Sequence, residues 1–338
     1  MSIKLRPLAE QVIVITGASS GIGLTTARRA ARAGAKVLLV SRSEQALTEI
    51  VTDINAKGGE ADYAVADVGD GTQVRAAADK AVARWGRIDS WVNDAGMAIY
   101  AKLVDTPENE HRRLFETNYW GVVHGCLTAI EHLRERGGAI VTVGSIASDL
   151  PSPILSAYAA SKHAAKGFVD SLRIELKADR LPISVSLVKP SGIDTPIAQH
   201  APNHASPGEA QAPPPVYTPE LVADAILYCC GHHRREITVG GSGVAQAMFA
   251  QHFKSLYDVL APLGIPAFFD ERKSQPPTNM WAPEVNVGRE RSGERTPKPF
   301  SLYTSAAKRP LATAVLVGSA IAGAAALRSA RRVSTAPR

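Results

Sequence analysis

Val12-Ile13-Val14-Ile15-Thr16-Gly17-Ala18-Ser19-Ser20-Gly21-Ile22-Gly23 is the stretch that decides the fold of this chain. Its first four residues are β-branched and apolar, which predicts a strand buried on both faces of a sheet. Glycines and serines follow, and small apolar residues then recur at helical spacing as far as Gly34. The stretch therefore predicts a strand, a tight turn and a helix, which together are the first half of a βαβ unit.

The same alternation continues along the first 240 or so residues. Further strands are predicted at residues 36–40, 61–66, 88–92, 139–143, 183–188 and 237–239, and helices at 44–56, 72–85, 157–178 and 219–231. Strands that alternate with helices, joined by right-handed crossovers, give an α/β fold with one doubly wound parallel sheet. Residues 193–216, rich in Pro, Ala and His, predict a mobile loop or lid over the site.

Composition changes after the alternating region, which predicts one domain with a C-terminal extension. We assign residues 1–260 to the catalytic domain, 261–310 to a Pro-rich extended appendage and 311–338 to an apolar segment with basic flanks. Residues 311–327 are about long enough to cross a thin bilayer, which predicts a possible membrane anchor. The alternative is a small apolar helix that packs on the domain or on another subunit.

The charge and cysteine pattern excludes several classes of protein. The formal net charge is +6, but part of the excess lies in the C-terminal tail, and no basic stripe with interleaved aromatics predicts nucleic-acid binding. The 3 cysteines have no metal-type or disulfide-framework spacing, which fits a cytoplasmic enzyme that is free or attached to the membrane. His200 and His204 lack a third ligand, so no metal site is predicted.

The turn after the first strand predicts a dinucleotide site. Free N–H groups at a helix start bind phosphate well, and glycines let the phosphate approach the backbone. The predicted cofactor-binding residues of this turn are Gly17, Ser19, Ser20, Gly21, Ile22 and Gly23. The alternative is a tight turn without a ligand. The second predicted strand ends at Ser41-Arg42. A carboxylate at this position would select NAD(H), whereas the Arg42 guanidinium favours NADP(H). The alternative is that Arg42 is a solvated arginine without a ligand.

Tyr158 and Lys162 are spaced to share one helix face. A nearby ammonium can lower the pKa of a phenol and so turn a tyrosine into a useful acid and base near neutral pH. Such a pair on its own is usually a surface pair. Ser145, however, follows a predicted buried strand and precedes this helix, at the sheet edge where open α/β proteins place their sites.

Taken together, these motifs resemble the short-chain dehydrogenase/reductase family over roughly residues 8–243. The resemblance implies a Rossmann-like fold in which Tyr158 is the general acid and base. It also implies that Lys162 lowers the pKa of Tyr158 and holds the nicotinamide ribose, that Ser145 hydrogen bonds the substrate oxygen, and that Asn118 anchors a proton-relay water.

The resemblance further implies the other cofactor contacts. These are adenine contacts from Asp67 and Val68, contacts beyond the fourth strand from Asn93, Ala95 and Gly96, and nicotinamide contacts from Pro190, Ile193 and Thr195. Two positions depart from the family pattern. Asp94 stands where an amide is usual, and Pro190-Ser191-Gly192 replaces a Pro-Gly turn.

The sequence therefore predicts an NADP(H)-dependent oxidoreductase that interconverts an alcohol and a carbonyl compound. The lid composition favours an apolar small-molecule substrate, and the family resemblance implies a homo-oligomer. The alternative is a non-catalytic NADP(H)-binding sensor or membrane-associated scaffold, against which the complete Ser145, Tyr158, Lys162 and Asn118 set argues. A sugar-nucleotide epimerase is disfavoured by the glycine spacing.

Overall fold

The computed structural model describes residues 3–283, 288–308 and 313. Within them the strands are β1 (Val12–Thr16), β2 (Lys36–Ser41), β3 (Glu60–Val65), β4 (Ser90–Asn93), β5 (Gly138–Val143), β6 (Ile183–Pro190), β7 (Gly208–Ala210), β8 (Glu236–Val239) and β9 (Phe269–Ser274). The helices are α1 (Gly21–Arg32), α2 (Glu44–Ala56), α3 (Gly71–Trp85), α4 (Glu108–Phe115), α5 (Gly121–Leu133), α6 (Ser156–Ala178), α7 (Pro219–Gly231), α8 (Gly241–His252), α9 (Lys254–Leu260) and α10 (Leu302–Lys308).

Seven strands form one parallel sheet in the order β3-β2-β1-β4-β5-β6-β8. The predicted doubly wound α/β fold is thereby confirmed. The strand order reverses between β1 and β4, and the loops at the carboxyl ends of these two strands diverge there. Open sheets of this kind carry their ligand cleft at such a point.

The sheet is covered by helices on both faces, which is why β1 is apolar and fully buried along its length. Leu24 of α1, Leu47 of α2 and Ile226 of α7 belong to the core on one face. Helices α3, α5 and α6 supply the core on the other face. The resulting three layers fix the carboxyl edge of the sheet, where the predicted site residues lie.

Residues 193–216 are not a loose loop. They include β7, which pairs antiparallel with β9 of the C-terminal region, and they bury Asp194 and Glu209 at 3% and 5% exposure. The amide of Asn203 donates to the Gly208 carbonyl over 2.8 Å. Long-range strand pairing therefore orders a segment whose composition predicted a mobile loop.

The described part of the predicted appendage lies against the body of the protein rather than extending from it. The Lys298 N–H donates to the Val216 carbonyl over 2.9 Å, and Thr304 of α10 accepts from Gly240 N–H over 3.0 Å. Met280 is completely buried. A few anchors and backbone hydrogen bonds thus hold a Pro-rich segment in place, and the domain boundary at residue 260 stays a prediction.

The predicted apolar segment 311–327 lies outside the described residues except for Thr313. Among the residues that are described, no helix combines the length and the apolar character needed to cross a bilayer.

Candidate active site

A cavity of about 610 Å³ opens along the carboxyl edge of the sheet. Most of the predicted site residues line it: Gly17, Ser19, Ser20, Gly21, Ile22, Ser41, Arg42, Asp67, Val68, Ala95, Gly96, Ser145, Tyr158, Lys162, Pro190, Ile193 and Thr195. Gly23, Asn93 and Asn118 are not among its lining residues. The tertiary fold therefore brings the glycine turn, the second strand end and the Tyr158 helix to one cleft.

The glycines of the turn between β1 and α1 are required first by the protein itself. A Cβ on Gly17, whose φ is +71°, would lie 2.7 Å from the Ala95 Cα, and a Cβ on Gly23 would lie 2.4 Å from the Gly17 carbonyl oxygen. The sequence pattern suggested room for a phosphate at all three glycines. At Gly17 and Gly23, glycine is required because other backbone atoms of the protein pack too closely for a side chain.

Asn93 and Asn118 support the cleft from behind. The Asn93 amide oxygen accepts from Trp91 Nε1 over 2.8 Å, and its nitrogen points to Cys126 and Thr142. Asn118 lies in a π-helical turn at Glu116–Trp120, and its amide is paired twice with the backbone of Met97 and once with Ser161. Both side chains hold neighbouring elements in register, and their predicted ligand roles stay predictions.

Ser145, Tyr158 and Lys162 meet at one end of the cavity. Ser145 follows β5 and accepts from Ala147 N–H over 3.1 Å, which fixes the start of a short 3₁₀ turn. Tyr158 lies in the first turn of α6, and the Lys162 Nζ lies one turn later at 5.7 Å from the Tyr158 ring centroid. The same Nζ donates to the Val143 carbonyl over 3.0 Å.

The pKa of the Tyr158 phenol is raised in this structure, whereas the sequence predicts that Lys162 lowers it. Burial raises the pKa of the Tyr158 phenol above its ordinary value, the Ser145 hydroxyl opposes the rise by hydrogen bonding, and the Asp94 carboxylate adds to it. The loss of hydration dominates at this position, and the roles that the family resemblance gives to Tyr158 and Lys162 stay predictions. Any activation of the phenol must therefore overcome its desolvation.

Asp94 is the residue whose importance sequence reasoning missed, although its departure from the family pattern was visible. Burial raises the pKa of its carboxyl to about 7, while Lys162 and a hydrogen bond from Gly23 N–H oppose the rise. Burial also lowers the pKa of the Lys162 ammonium to about 8, against the attraction of Asp94. Asp94 and Lys162 both line the cavity, and the charge of each affects the pKa of the other.

Arg42 marks the opposite end of the cavity. Its guanidinium donates to the Met280 carbonyl over 3.0 Å and to the Asn279 carbonyl over 2.5 Å. Asp67 pairs with Arg113 of α4, a contact that the sequence did not suggest. Burial, and to a smaller extent repulsion from Arg113, lowers the pKa of Arg42. Burial by itself would raise the pKa of Asp67, but hydrogen bonds from Arg113 and Gly69 outweigh it, so the pKa of Asp67 is lowered.

The part of the cavity beyond Tyr158 is mostly apolar, although Ser152, His200 and Gln246 also line the cavity. Its walls come from the segment after β5, from residues 197–215 and from the C-terminal region, through Ile146, Leu155, Ile197, Pro213, Tyr257 and Phe268. Tyr257 and Phe268 belong to a region whose periodicity gave no sign of a pocket. Among the described residues, no group of three His, Cys, Asp or Glu side chains could hold a metal ion.

The family model described as short chain dehydrogenase matches residues 11–205, from the start of β1 through the segment after β6. This chain belongs to the short-chain dehydrogenase/reductase family. The matched region contains the glycine turn, Arg42, Ser145, Tyr158 and Lys162. The predicted family resemblance is thereby confirmed, as is an oxidoreductase that uses a nicotinamide dinucleotide and a small-molecule substrate.

Relatives of this family member extend the likeness beyond the matched region. An uncharacterized oxidoreductase, YxnA of Bacillus subtilis, is 38% identical over 331 residues, which cover 96% of this chain and 93% of YxnA. Dehydrogenase/reductase SDR family member 7B of Xenopus tropicalis is 31% identical over an alignment that covers 69% of this chain and 78% of that protein. The C-terminal region of this chain therefore has a counterpart in YxnA.

Solved structures of the family share the fold. A short-chain dehydrogenase/reductase from Burkholderia phymatum in complex with NAD has a TM-score of 0.69 at 27% identity, over 75% of this chain and 96% of that one. An alcohol dehydrogenase from Thermococcus sibiricus complexed with 5-hydroxy-NADP has a TM-score of 0.60 at 26% identity, over 68% of this chain and 95% of that one. The two similar structures thus hold different forms of the dinucleotide.

Proposed function

We propose that this protein is an NADP(H)-dependent oxidoreductase that interconverts an alcohol and a ketone or aldehyde, with Tyr158 as the general acid and base. The observation that carries the proposal is one continuous cavity that holds the Ser145 and Tyr158 hydroxyls at one end and the Arg42 guanidinium at the other. A nicotinamide dinucleotide is long, and its reacting ring lies far from its adenosine. An enzyme of this class therefore needs one end of the cavity for the adenosine and the other end for the reacting ring.

The residues present fit a bound dinucleotide. The glycine turn leads into the N-terminus of α1, whose positive helix end favours phosphate. The Gly21 N–H now donates to the Arg289 carbonyl over 2.9 Å and would exchange that partner for a phosphate oxygen. Ile193 and Thr195 line the cavity between that turn and Tyr158, so they would border the nicotinamide. When bound, the nicotinamide supplies or accepts the hydride.

The chemistry of the remaining steps belongs to this chain. In carbonyl reduction, the Tyr158 hydroxyl donates its proton to the substrate oxygen as negative charge develops there, and in alcohol oxidation the phenolate accepts that proton. The Ser145 hydroxyl donates a hydrogen bond to the same oxygen. The Lys162 ammonium, held by the Val143 carbonyl one helical turn from Tyr158, stabilises the phenolate.

Arg42 supports the preference for NADP(H). A guanidinium pairs strongly with a phosphate dianion, whereas a carboxylate at the end of the second strand would repel it. Here Ser41 and Arg42 supply no carboxylate, and Arg42 lies on the cavity wall.

The apolar walls beyond Tyr158 support an uncharged substrate. The side chains of Ile146, Leu155, Ile197 and Phe268 offer contact area but no ionic partner, so they favour a hydrophobic ketone, aldehyde or alcohol over an acid or a phosphate ester. An apolar body would fill this part of the cavity while its oxygen meets Ser145 and Tyr158.

The test is turnover of NADPH with a panel of hydrophobic aldehydes and ketones, comparing the parent with Tyr158→Phe. Removal of one general acid should lower kcat by on the order of 10² to 10⁴. NADPH binding, measured by fluorescence titration, should change little and serves as the control for folding. A phenylalanine variant that turns over at the parental rate would contradict the proposed role of Tyr158. NADPH binding by a parent that reduces no panel member would instead favour a non-catalytic sensor.

A further inference from the structure

A second arginine lies at the Arg42 end of the cavity. Arg113 of α4 donates from Nε to the Met280 carbonyl over 3.4 Å, and Arg42 donates to the same oxygen over 3.0 Å. Two guanidinium groups therefore converge on one neutral oxygen atom.

Arg113 is buried in a way that its neighbour is not. The side chain of Arg113 is 14% exposed, whereas that of Arg112, the preceding residue of the same helix, is 76% exposed and pairs with Glu108. Burial of a guanidinium costs hydration, so a buried arginine usually has a specific partner. Arg113 has Asp67 and the Met280 carbonyl.

The charges at this end of the cavity do not balance. Asp67 carries one negative charge and forms its ion pair with Arg113, while Arg42 forms no ion pair with any described residue and is held by the carbonyls of Asn279 and Met280. Counting the described residues alone, one positive charge remains here without a negative partner, in a partly buried position. A carbonyl oxygen is a weaker partner for a guanidinium than a phosphate oxygen, because it carries no formal charge.

We propose that Arg113 is a second specificity-determining residue, which grips the 2′-phosphate of NADP(H) together with Arg42 at the place now held by the Met280 carbonyl. This inference rests on the proposed use of NADP(H). A dianionic phosphate between the two guanidinium groups would more than offset the single excess positive charge and would give Arg42 a charged partner. NAD(H) has only a 2′-hydroxyl at this position and would leave the Met280 carbonyl in place.

The exchange of partners needs only a local change in the segment that carries Met280. Gln275 donates from its amide to the carbonyls of Ala198, Gln199 and Ala201, and Asn279 N–H donates to the His200 carbonyl over 3.1 Å. These contacts hold the segment from the side away from the arginines. Rotation of the peptide carbonyl at Met280 would therefore release the Nε of Arg113 and the Nη1 of Arg42 while the segment stays attached. The contact of Arg42 Nη2 with the Asn279 carbonyl can remain, because a guanidinium has five N–H donors.

The test measures the dissociation constants of NADPH and NADH, by calorimetry, for the parent, Arg42→Gln, Arg113→Gln and the control Arg112→Gln. Arg42→Gln and Arg113→Gln should each weaken NADPH by about tenfold or more, which is the effect of losing a charge-assisted hydrogen bond. NADH binding should change little, which also shows that the variants are folded. Arg112→Gln should alter neither constant.

Asp67→Asn combined with Arg113→Gln separates direct contact from release of the Asp67 charge. In the double variant, the affinity for NADPH should remain reduced relative to the affinity for NADH. Recovery of parental NADPH affinity in the double variant would overturn the inference, because Arg113 would then act only by neutralising Asp67.

The outcomes for the two arginines are distinguishable. An Arg42→Gln variant that loses NADPH selectively, beside an Arg113→Gln variant that affects NADPH and NADH equally, overturns the inference and leaves the proposed function standing. A parent that prefers NADH, or an Arg42→Gln variant with parental preference, overturns the NADP(H) assignment and the inference with it.

Discussion

At the scale of single residues, Asp94 and Lys162 on the cavity wall affect which groups of this site carry protons. Burial raises the pKa of Asp94 to about 7 and lowers that of Lys162 to about 8, so the two values approach each other near neutral pH. Asp94 also raises the pKa of Tyr158. The Asp94 carboxylate therefore favours the protonated forms of both Lys162 and Tyr158.

Replacement of that carboxylate should move the pH dependence in one direction. In Asp94→Asn, the pKa values of both Lys162 and Tyr158 should fall, because the negative charge that raises them is gone. Alcohol oxidation, which needs the phenolate, should then rise at lower pH than in the parent, by about one pH unit, the low end of the effect of a neighbouring charge. The measurement is kcat/KM against pH for NADP⁺-dependent oxidation of an alcohol found active in the panel.

Asp70→Asn is a suitable control for this profile, because Asp70 caps α3 and is fully exposed to solvent. Its profile should match that of the parent. A profile for Asp94→Asn that is unchanged or moves to higher pH would contradict the coupling of Asp94 to the site.

At the scale of elements, helix α5 approaches the sheet closely because glycine faces it. A Cβ on Gly125 would lie 2.0 Å from the Asn93 Oδ1 and 2.7 Å from the Trp91 Nε1. The absence of a side chain there leaves room for the buried hydrogen bond between Trp91 and Asn93 at the end of β4. The helix thus stabilises the strand that leads into Asp94.

Gly125→Ala should lower the free energy of unfolding by about 1 to 3 kcal/mol, the usual range for overpacking a close contact. The matched control is Gly167→Ala in α6, where a Cβ would have no neighbour within 4 Å. That change should raise the free energy of unfolding by roughly 0.5 to 1 kcal/mol, because alanine favours a helix interior over glycine. Urea unfolding followed by circular dichroism gives both values, and equal effects of the two substitutions would contradict this packing argument.

At the scale of the whole molecule, the C-terminal region completes the site that the parallel sheet begins. Met280 reaches the guanidinium of Arg42, Phe268 and Tyr257 line the cavity, and α10 packs beside β8. Residues that follow the sheet therefore border both the cofactor end and the substrate end of the cleft. Homo-oligomer formation stays a prediction of the family resemblance.

We also propose that residues 311–327 attach the protein to a membrane, on the strength of their apolar sequence and basic flanks. The full chain should float with vesicles that contain anionic lipid in a density gradient. A variant that ends at Arg309 should stay at the bottom while it binds NADPH like the parent, because the described site residues all precede that point. Flotation of both proteins, or of neither, would contradict attachment through this segment.

The sequence by itself determined the α/β sheet, the glycine turn and the shared helix face of Tyr158 and Lys162. These features follow from local periodicity and from the spacing of residues along one element, which a linear pattern records directly. The order of the seven strands, by contrast, was not predicted and is known from the tertiary structure.

Only the tertiary structure decided what surrounds those residues. Arg42 meets Met280 across 238 residues of chain, and Glu209 of β7 pairs with Asp270 of β9. The raised pKa of Tyr158 and the coupling of Asp94 to Lys162 depend on how much water the packed chain removes. Burial and long-range contact are properties of the folded chain as a whole, so no local pattern of residues carries them.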